Sequence, residues 1–228
     1  MQKVYISCQD ISNMVTVLVF GDSIAYGAFE KEQGWVSKLR DYLERNSEIL
    51  PSFDFVYNLS IPGDTSSALI HRFEYEAYSR IDIPEETVIM FALGINDCAY
   101  NNEKAKAFVP QDEFIDNLKE LITQAKKFNT QIVFLGLTPC DEAKTNPCLW
   151  DKSVAYSNEF IIKYNAIIKQ VCKEYDVYFI DILDSFSKPN FKSLLEDGLH
   201  PNTRGQEKIF DSIRVFFSKY VRCIKGKL

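Results

Sequence analysis

The chain alternates two hydrophobic patterns. Short, mainly apolar runs recur at Val15–Phe20, Phe53–Leu59, Thr87–Leu93, Gln131–Leu137 and Val177–Ile182, and each reads as a strand. Between them, apolar residues return every three or four positions. Trp35, Val36, Leu39, Tyr42 and Leu43 mark one helix over 34–45; Leu69, Ile70, Phe73 and Tyr78 mark a second, with Thr65, Ser66 and Ser67 available to cap it. Phe114, Leu118, Leu121, Ile122 and Ala125 define a third helix, and Phe160, Ile161, Tyr164, Ile167, Ile168 and Val171 a fourth. A last helix is expected over Thr203–Tyr220. The run at Thr87–Leu93 is apolar throughout, as a central parallel strand covered on both faces requires. Strands alternating with helices predict an α/β fold, a three-layer α/β/α sandwich around a five-stranded parallel sheet, because right-handed crossovers place the helices on both faces.

Length changes this picture little. With 228 residues, 46% hydrophobic and 25% charged, the sequence suits one globular domain over 1–228. Residues 1–14 show no usable periodicity and read as an accessory lead, with Met14 a candidate second start. The net charge of −6 and the lack of a Lys/Arg cluster argue against nucleic acid or an anionic membrane surface as partner. Neither a signal peptide nor a membrane span is visible, so a soluble cytoplasmic protein is expected. The six cysteines, at 8, 98, 140, 148, 172 and 223, form no CxxC pair and suggest no zinc site. Scattered cysteines of this kind are expected as buried thiols; Cys140 and Cys148, in one loop, would pair first in an oxidising compartment.

The candidate chemistry lies where the apolar runs stop. The first run ends at Gly21-Asp22-Ser23, which delivers a serine to the carboxyl end of a buried strand, the edge at which open α/β sheets place ligands. Ser23 is therefore the candidate nucleophile, and a serine hydroxyl needs a base together with a group that orients the base. Of the two histidines, His71 lies within a helical segment beside Arg72, whereas His200 precedes the last helix, three residues after Asp197. That spacing lets Asp197 meet imidazole Nδ1 and leaves Nε2 for Ser23. Taken singly, each of these stretches also reads as a turn or a helix cap. Asp22 and Asp97 are expected to bond loop backbone, and Trp35 to sit in the core. Tyr26, Phe29, Tyr100, Cys140 and Trp150 are loop residues that could line a substrate pocket. No Gly-rich nucleotide fingerprint follows the first strand, and the chemistry of a serine nucleophile needs no cofactor or metal.

Four blocks occur in order: Gly21-Asp22-Ser23, Asn58 through Thr65, Gly94-Ile95-Asn96-Asp97 and Asp197 through Asn202. Together they resemble the SGNH hydrolases, the GDSL-type lipases and acylhydrolases, over nearly the whole chain. Gly34-Trp35 with Leu39, and Thr138-Pro139 with Asp141-Glu142, resemble further signatures of small bacterial members; Ile24 stands where the name motif has leucine. The resemblance implies the flavodoxin-like strand order 2-1-3-4-5 and an oxyanion hole made by the Ser23 and Gly63 N–H groups and the Asn96 side chain. It implies a serine esterase acting on a small ester, of short-acyl, O-acetyl-carbohydrate or lysophospholipid type. Acyl transfer through the same triad is the alternative within the family, and a flavodoxin-like small-ligand binding module the alternative outside it.

Overall fold

The computed structural model describes residues 15–45, 54–186 and 190–225. The expectations for residues 1–14, Met14 included, and for Phe53 lie outside the described residues. In chain order the elements are β1 (Thr16–Gly21), α1 (Ser23–Tyr26), α2 (Trp35–Arg45), β2 (Phe55–Asn58), α3 (Ser66–Tyr78), β3 (Thr87–Ala92), β4 (Tyr100–Asn101), β5 (Lys106–Ala107), α4 (Gln111–Lys126), β6 (Gln131–Leu135), α5 (Glu142–Thr145), β7 (Val154–Ala155), α6 (Asn158–Tyr175), β8 (Tyr178–Ile180) and α7 (Thr203–Lys225).

Strands β2, β1, β3, β6 and β8 form the main sheet in that order, and every neighbouring pair is parallel. Ranked by sequence, this is the 2-1-3-4-5 order that the resemblance implied. Because side chains alternate along a strand, the central strands feed two cores. Leu18, Phe20, Ile89, Phe91, Ile132 and Phe134 pack against α3, α4 and α6. Val17, Val19, Val88, Met90, Val133 and Leu135 pack against α2 and α7. Trp35 is fully buried in the second core, as expected. Two-sided burial explains why β1 and β3 read as continuous apolar runs rather than alternating ones.

The structure trims and extends the expected elements. β6 stops at Leu135 and β8 at Ile180, since the residues beyond leave the ladder to become site loops, while α7 runs to Lys225. The stretch after β3 is more ordered than its sequence suggests. β4, with two residues, pairs antiparallel with β5 and β7, so the stretches 100–107 and 154–155, which follow β3 and β6 in the chain, join in a second, three-stranded sheet. Within the expected long loop after β6, Glu142–Thr145 forms the short helix α5, capped by the Asp141 side chain. Among the described residues, no helix is long and apolar enough to cross a membrane.

Candidate active site

All the blocks singled out above end at one edge of the sheet. β1 delivers Asp22, which caps α1 by accepting the Ile24 N–H on its carboxylate at 2.9 Å, and Ser23 is the first helical residue. This short helix is held from outside: the Asn58 amide donates to the Ala25 carbonyl at 3.0 Å and the Gln206 amide to the Ile24 carbonyl at 3.2 Å. Gln206 is itself fully buried, and its oxygen accepts the Trp35 N–H at 3.0 Å. One side chain of α7 therefore fixes both the serine turn and the start of α2.

Ser23 Oγ lies 2.9 Å from His200 Nε2, and His200 Nδ1 lies 2.7 Å from Asp197 Oδ2. The other Asp197 oxygen accepts the backbone N–H groups of Leu199 at 2.9 Å and His200 at 2.8 Å. Burial raises the Asp197 carboxyl, but the hydrogen bonds from the His200 ring and from the two N–H groups outweigh it and hold the group at about 2. Asp197 is thus an anion beside the imidazole throughout the neutral range. An acceptor-only carboxylate assigns the proton of the neutral ring to Nδ1, which leaves Nε2 as an acceptor toward the serine hydroxyl. His71, by contrast, is exposed on α3.

The loop bearing Asp197 and His200 leans on α5: the Asp141 N–H donates to the Gly198 carbonyl at 2.7 Å, and Lys192 pairs with the Asp141 carboxylate at 2.6 Å. Gly198 has φ of +101°, and a Cβ there would stand 2.7 Å from Lys144 Cβ, so both backbone shape and space call for glycine.

Gly63 and Asn96 occupy neighbouring loops. Ile61-Pro62-Gly63-Asp64 closes with a 3.1 Å bond from the Asp64 N–H to the Ile61 carbonyl, and Gly63 has φ of +82°, the type II turn signature. Gly63 is exposed, with nothing within 4 Å of where a Cβ would stand. The turn is tied to the serine by a 3.0 Å bond from the Ile61 N–H to the Gly21 carbonyl, and to α3 by the Arg72–Asp64 ion pair at 2.6 Å. The Asn96 amide donates to the Asp64 carbonyl at 2.9 Å, which fixes which end of the side chain is nitrogen. Its oxygen accepts the Tyr156 hydroxyl at 3.2 Å. An amide nitrogen carries two N–H donors, so one remains for a ligand.

Tyr156 is the residue that the sequence reading missed. It is buried, follows β7, and is pinned through its backbone to Thr145 of α5, whose carbonyl accepts the Tyr156 N–H at 2.8 Å. Burial pushes its hydroxyl up, so it stays a neutral donor. Asp22 and Asp97 do bond loop backbone as expected, to Ile24 and Ser66, but both are also deeply buried. Burial lifts the Asp22 carboxyl to about 7 and that of Asp97 to about 6. Of the loop candidates, Phe29 packs its ring on His200 at 4.8 Å between centroids, whereas Tyr100 stacks on Phe160 at 5.8 Å. Tyr26 and Trp150 are exposed, and Cys140 and Cys148 are buried free thiols.

Comparison with known proteins agrees with this architecture. The chain is 28% identical over 214 residues to a human protein named isoamyl acetate-hydrolyzing esterase 1 homolog, covering 90% of this chain and 82% of that protein. It is 23% identical over 220 residues to the isoamyl acetate-hydrolyzing esterase of Saccharomyces cerevisiae, covering 89% and 87%. An acetylxylan esterase from Geobacillus stearothermophilus shares the fold with a TM-score of 0.69 at 19% identity, over 87% of this chain and 92% of that one. The esterase EstA from a Pseudoalteromonas species does so with a TM-score of 0.64 at 22% identity, over 91% and 98%. Since the sequence model of the GDSL-like Lipase/Acylhydrolase family matches residues 19–208, well over half its length, the chain belongs to that family of ester hydrolases.

Proposed function

We propose that the protein hydrolyses small carboxylic esters through an acyl-enzyme formed on Ser23. The observation that carries this reading is the continuous path from Ser23 Oγ through His200 to the Asp197 carboxylate, at 2.9 and 2.7 Å. Ser23 Oγ attacks the ester carbonyl carbon while His200 Nε2 takes its proton. Asp197 keeps the ring oriented and stabilises the imidazolium that forms. The tetrahedral oxyanion is received by the Ser23 and Gly63 N–H groups and by the free N–H of Asn96. When the tetrahedral species collapses, the carbon–oxygen bond to the alcohol breaks and His200 hands its proton to the departing oxygen. Water then attacks the acyl-enzyme by the same route, releasing the acid and restoring Ser23.

On this reading protein groups hold the site in place: Asn58 and Gln206 brace the serine turn, and Asp197 orients His200. Tyr156 and the Asp64 carbonyl hold Asn96 in one orientation, so the donor needs no rearrangement as charge develops. For location we propose the cytoplasm, on the scattered spacing of the cysteines.

The test is turnover of p-nitrophenyl acetate by wild type, Ser23→Ala, His200→Ala and the double variant. Groups that act as one unit give a double variant no slower than the worse single one. Losses that multiply would show that Ser23 and His200 do not share one step.

A further inference from the structure

Phe29 sits in a conformation that its residue type does not favour. Its φ is +63°, in the left-handed region, where glycine or asparagine is the ordinary occupant and a bulky side chain is strained. The chain holds it there from both sides. Before it, the Ala28 N–H donates to the Ser23 carbonyl at 2.9 Å; after it, the Glu30 N–H donates to the Gly27 carbonyl at 3.2 Å. The Glu30 carboxylate accepts both the Thr203 hydroxyl and the Glu32 N–H at 2.8 Å, tying the segment to the start of α7. Core packing does not explain the residue either, since Phe29 is 62% exposed. What the strained backbone achieves is the placement of an aromatic ring against the imidazole of His200, centroids 4.8 Å apart and planes at 55°.

The chemistry of the reaction decides which half of a substrate meets that ring. The proton that His200 takes from Ser23 is returned to the oxygen of the departing alcohol, so that oxygen must come within about 3 Å of Nε2. The first carbons of the alcohol then lie beside the imidazole, and an exposed ring packed on the imidazole lies beside them. The carbonyl oxygen points the other way, toward Asn96 and Gly63.

We propose that Phe29 walls a leaving-group subsite, so that the enzyme favours esters whose alcohol carries an aromatic or bulky apolar group over esters of methanol. This rests on the Ser23–His200 reading given above. Apolar surface of the alcohol is removed from water against the ring as the ester binds, and the contact persists in the transition state because the alcohol has not yet left.

The experiment compares kcat/KM for benzyl acetate and methyl acetate, which share an acyl group, and for methyl butanoate, which varies the acyl side instead. The variants are Phe29→Ala and Phe29→Gly, the second chosen because glycine suits φ of +63° and keeps the segment folded. The expected result is a fall of about tenfold in the benzyl-to-methyl ratio in both variants, with the butanoate-to-acetate ratio unchanged. A Phe29→Gly enzyme that loses the same factor on benzyl and methyl acetate overturns the proposal, since the ring would then only support the imidazole. A shift confined to the butanoate-to-acetate ratio overturns it too, by placing the ring on the acyl side. Turnover retained by Ser23→Ala removes the underlying reading, and that outcome is recognised without any Phe29 variant.

Discussion

Tyr156→Phe removes one oxygen atom and leaves the aromatic ring in place, which makes it a sharp probe of how the oxyanion donor is held. The hydroxyl donates to Asn96 Oδ1 at 3.2 Å, and the Asn96 nitrogen keeps its bond to the Asp64 carbonyl at 2.9 Å. The variant therefore loosens the amide without releasing it. A neutral hydrogen bond contributes about 1 kcal/mol, which corresponds to roughly fivefold in rate if it acts only in the transition state. Removal of the whole donor, as in Asn96→Ala, should cost roughly 3 kcal/mol, or a factor of 10²–10³ in kcat. The assay is steady-state hydrolysis of p-nitrophenyl acetate by wild type, both single variants and the double. Tyr156→Phe should lower kcat about fivefold with KM nearly unchanged, and should add almost nothing once Asn96 is alanine. A Tyr156→Phe loss that is as large in the Asn96→Ala background as in wild type would refute the coupling. So would a rise in KM with kcat preserved.

Other consequences concern pH and fold. Burial lifts Asp22 to about 7, well above its unfolded value of about 4, so the native state holds this proton more tightly. Stability should fall as pH rises from about 4 to about 7, and urea titrations of Asp22→Asn should show a smaller fall across that window. Asp197 shifts the other way, so its contribution is present above about 4 and fades as pH drops through about 2. Gly198→Ala must fit a Cβ 2.7 Å from Lys144 Cβ at φ of +101°, and should cost about 1–3 kcal/mol in urea unfolding, with a larger proportional loss of kcat as His200 is displaced. Gln206→Leu orphans the Trp35 N–H and the Ile24 carbonyl, and should destabilise by roughly 2–4 kcal/mol in the same assay.

Much of this architecture is written locally in the chain. Val17–Phe20 and Val88–Phe91 are buried on both faces, and two-sided burial leaves an unbroken apolar signature. The Asp197–His200 spacing is equally local: one turn of chain brings carboxylate and imidazole together, so the pair can be read without knowing the fold. The order of the strands is different, because crossovers of similar length permit several orders, and the four family blocks rather than the spacing pointed to it. The sheet of β4, β5 and β7 escaped notice because strands of two residues have no period. Tyr156 escaped for a related reason. It reaches Asn96 from 60 residues away, through a loop whose position is set by backbone bonds to Thr145 and not by any pattern of its own. The left-handed backbone of Phe29 was likewise invisible, since an aromatic residue gives no warning of φ above zero.

Everything in this account turns on Ser23 Oγ as the attacking atom, activated by His200. The most direct test is to incubate the protein with a fluorophosphonate, digest it and map the adduct by mass spectrometry, alongside His200→Ala. A single adduct on Ser23, formed rapidly in wild type and slowed by orders of magnitude in His200→Ala, is the predicted result. An adduct on another residue, or equal labelling of Ser23 with and without the imidazole, would contradict it.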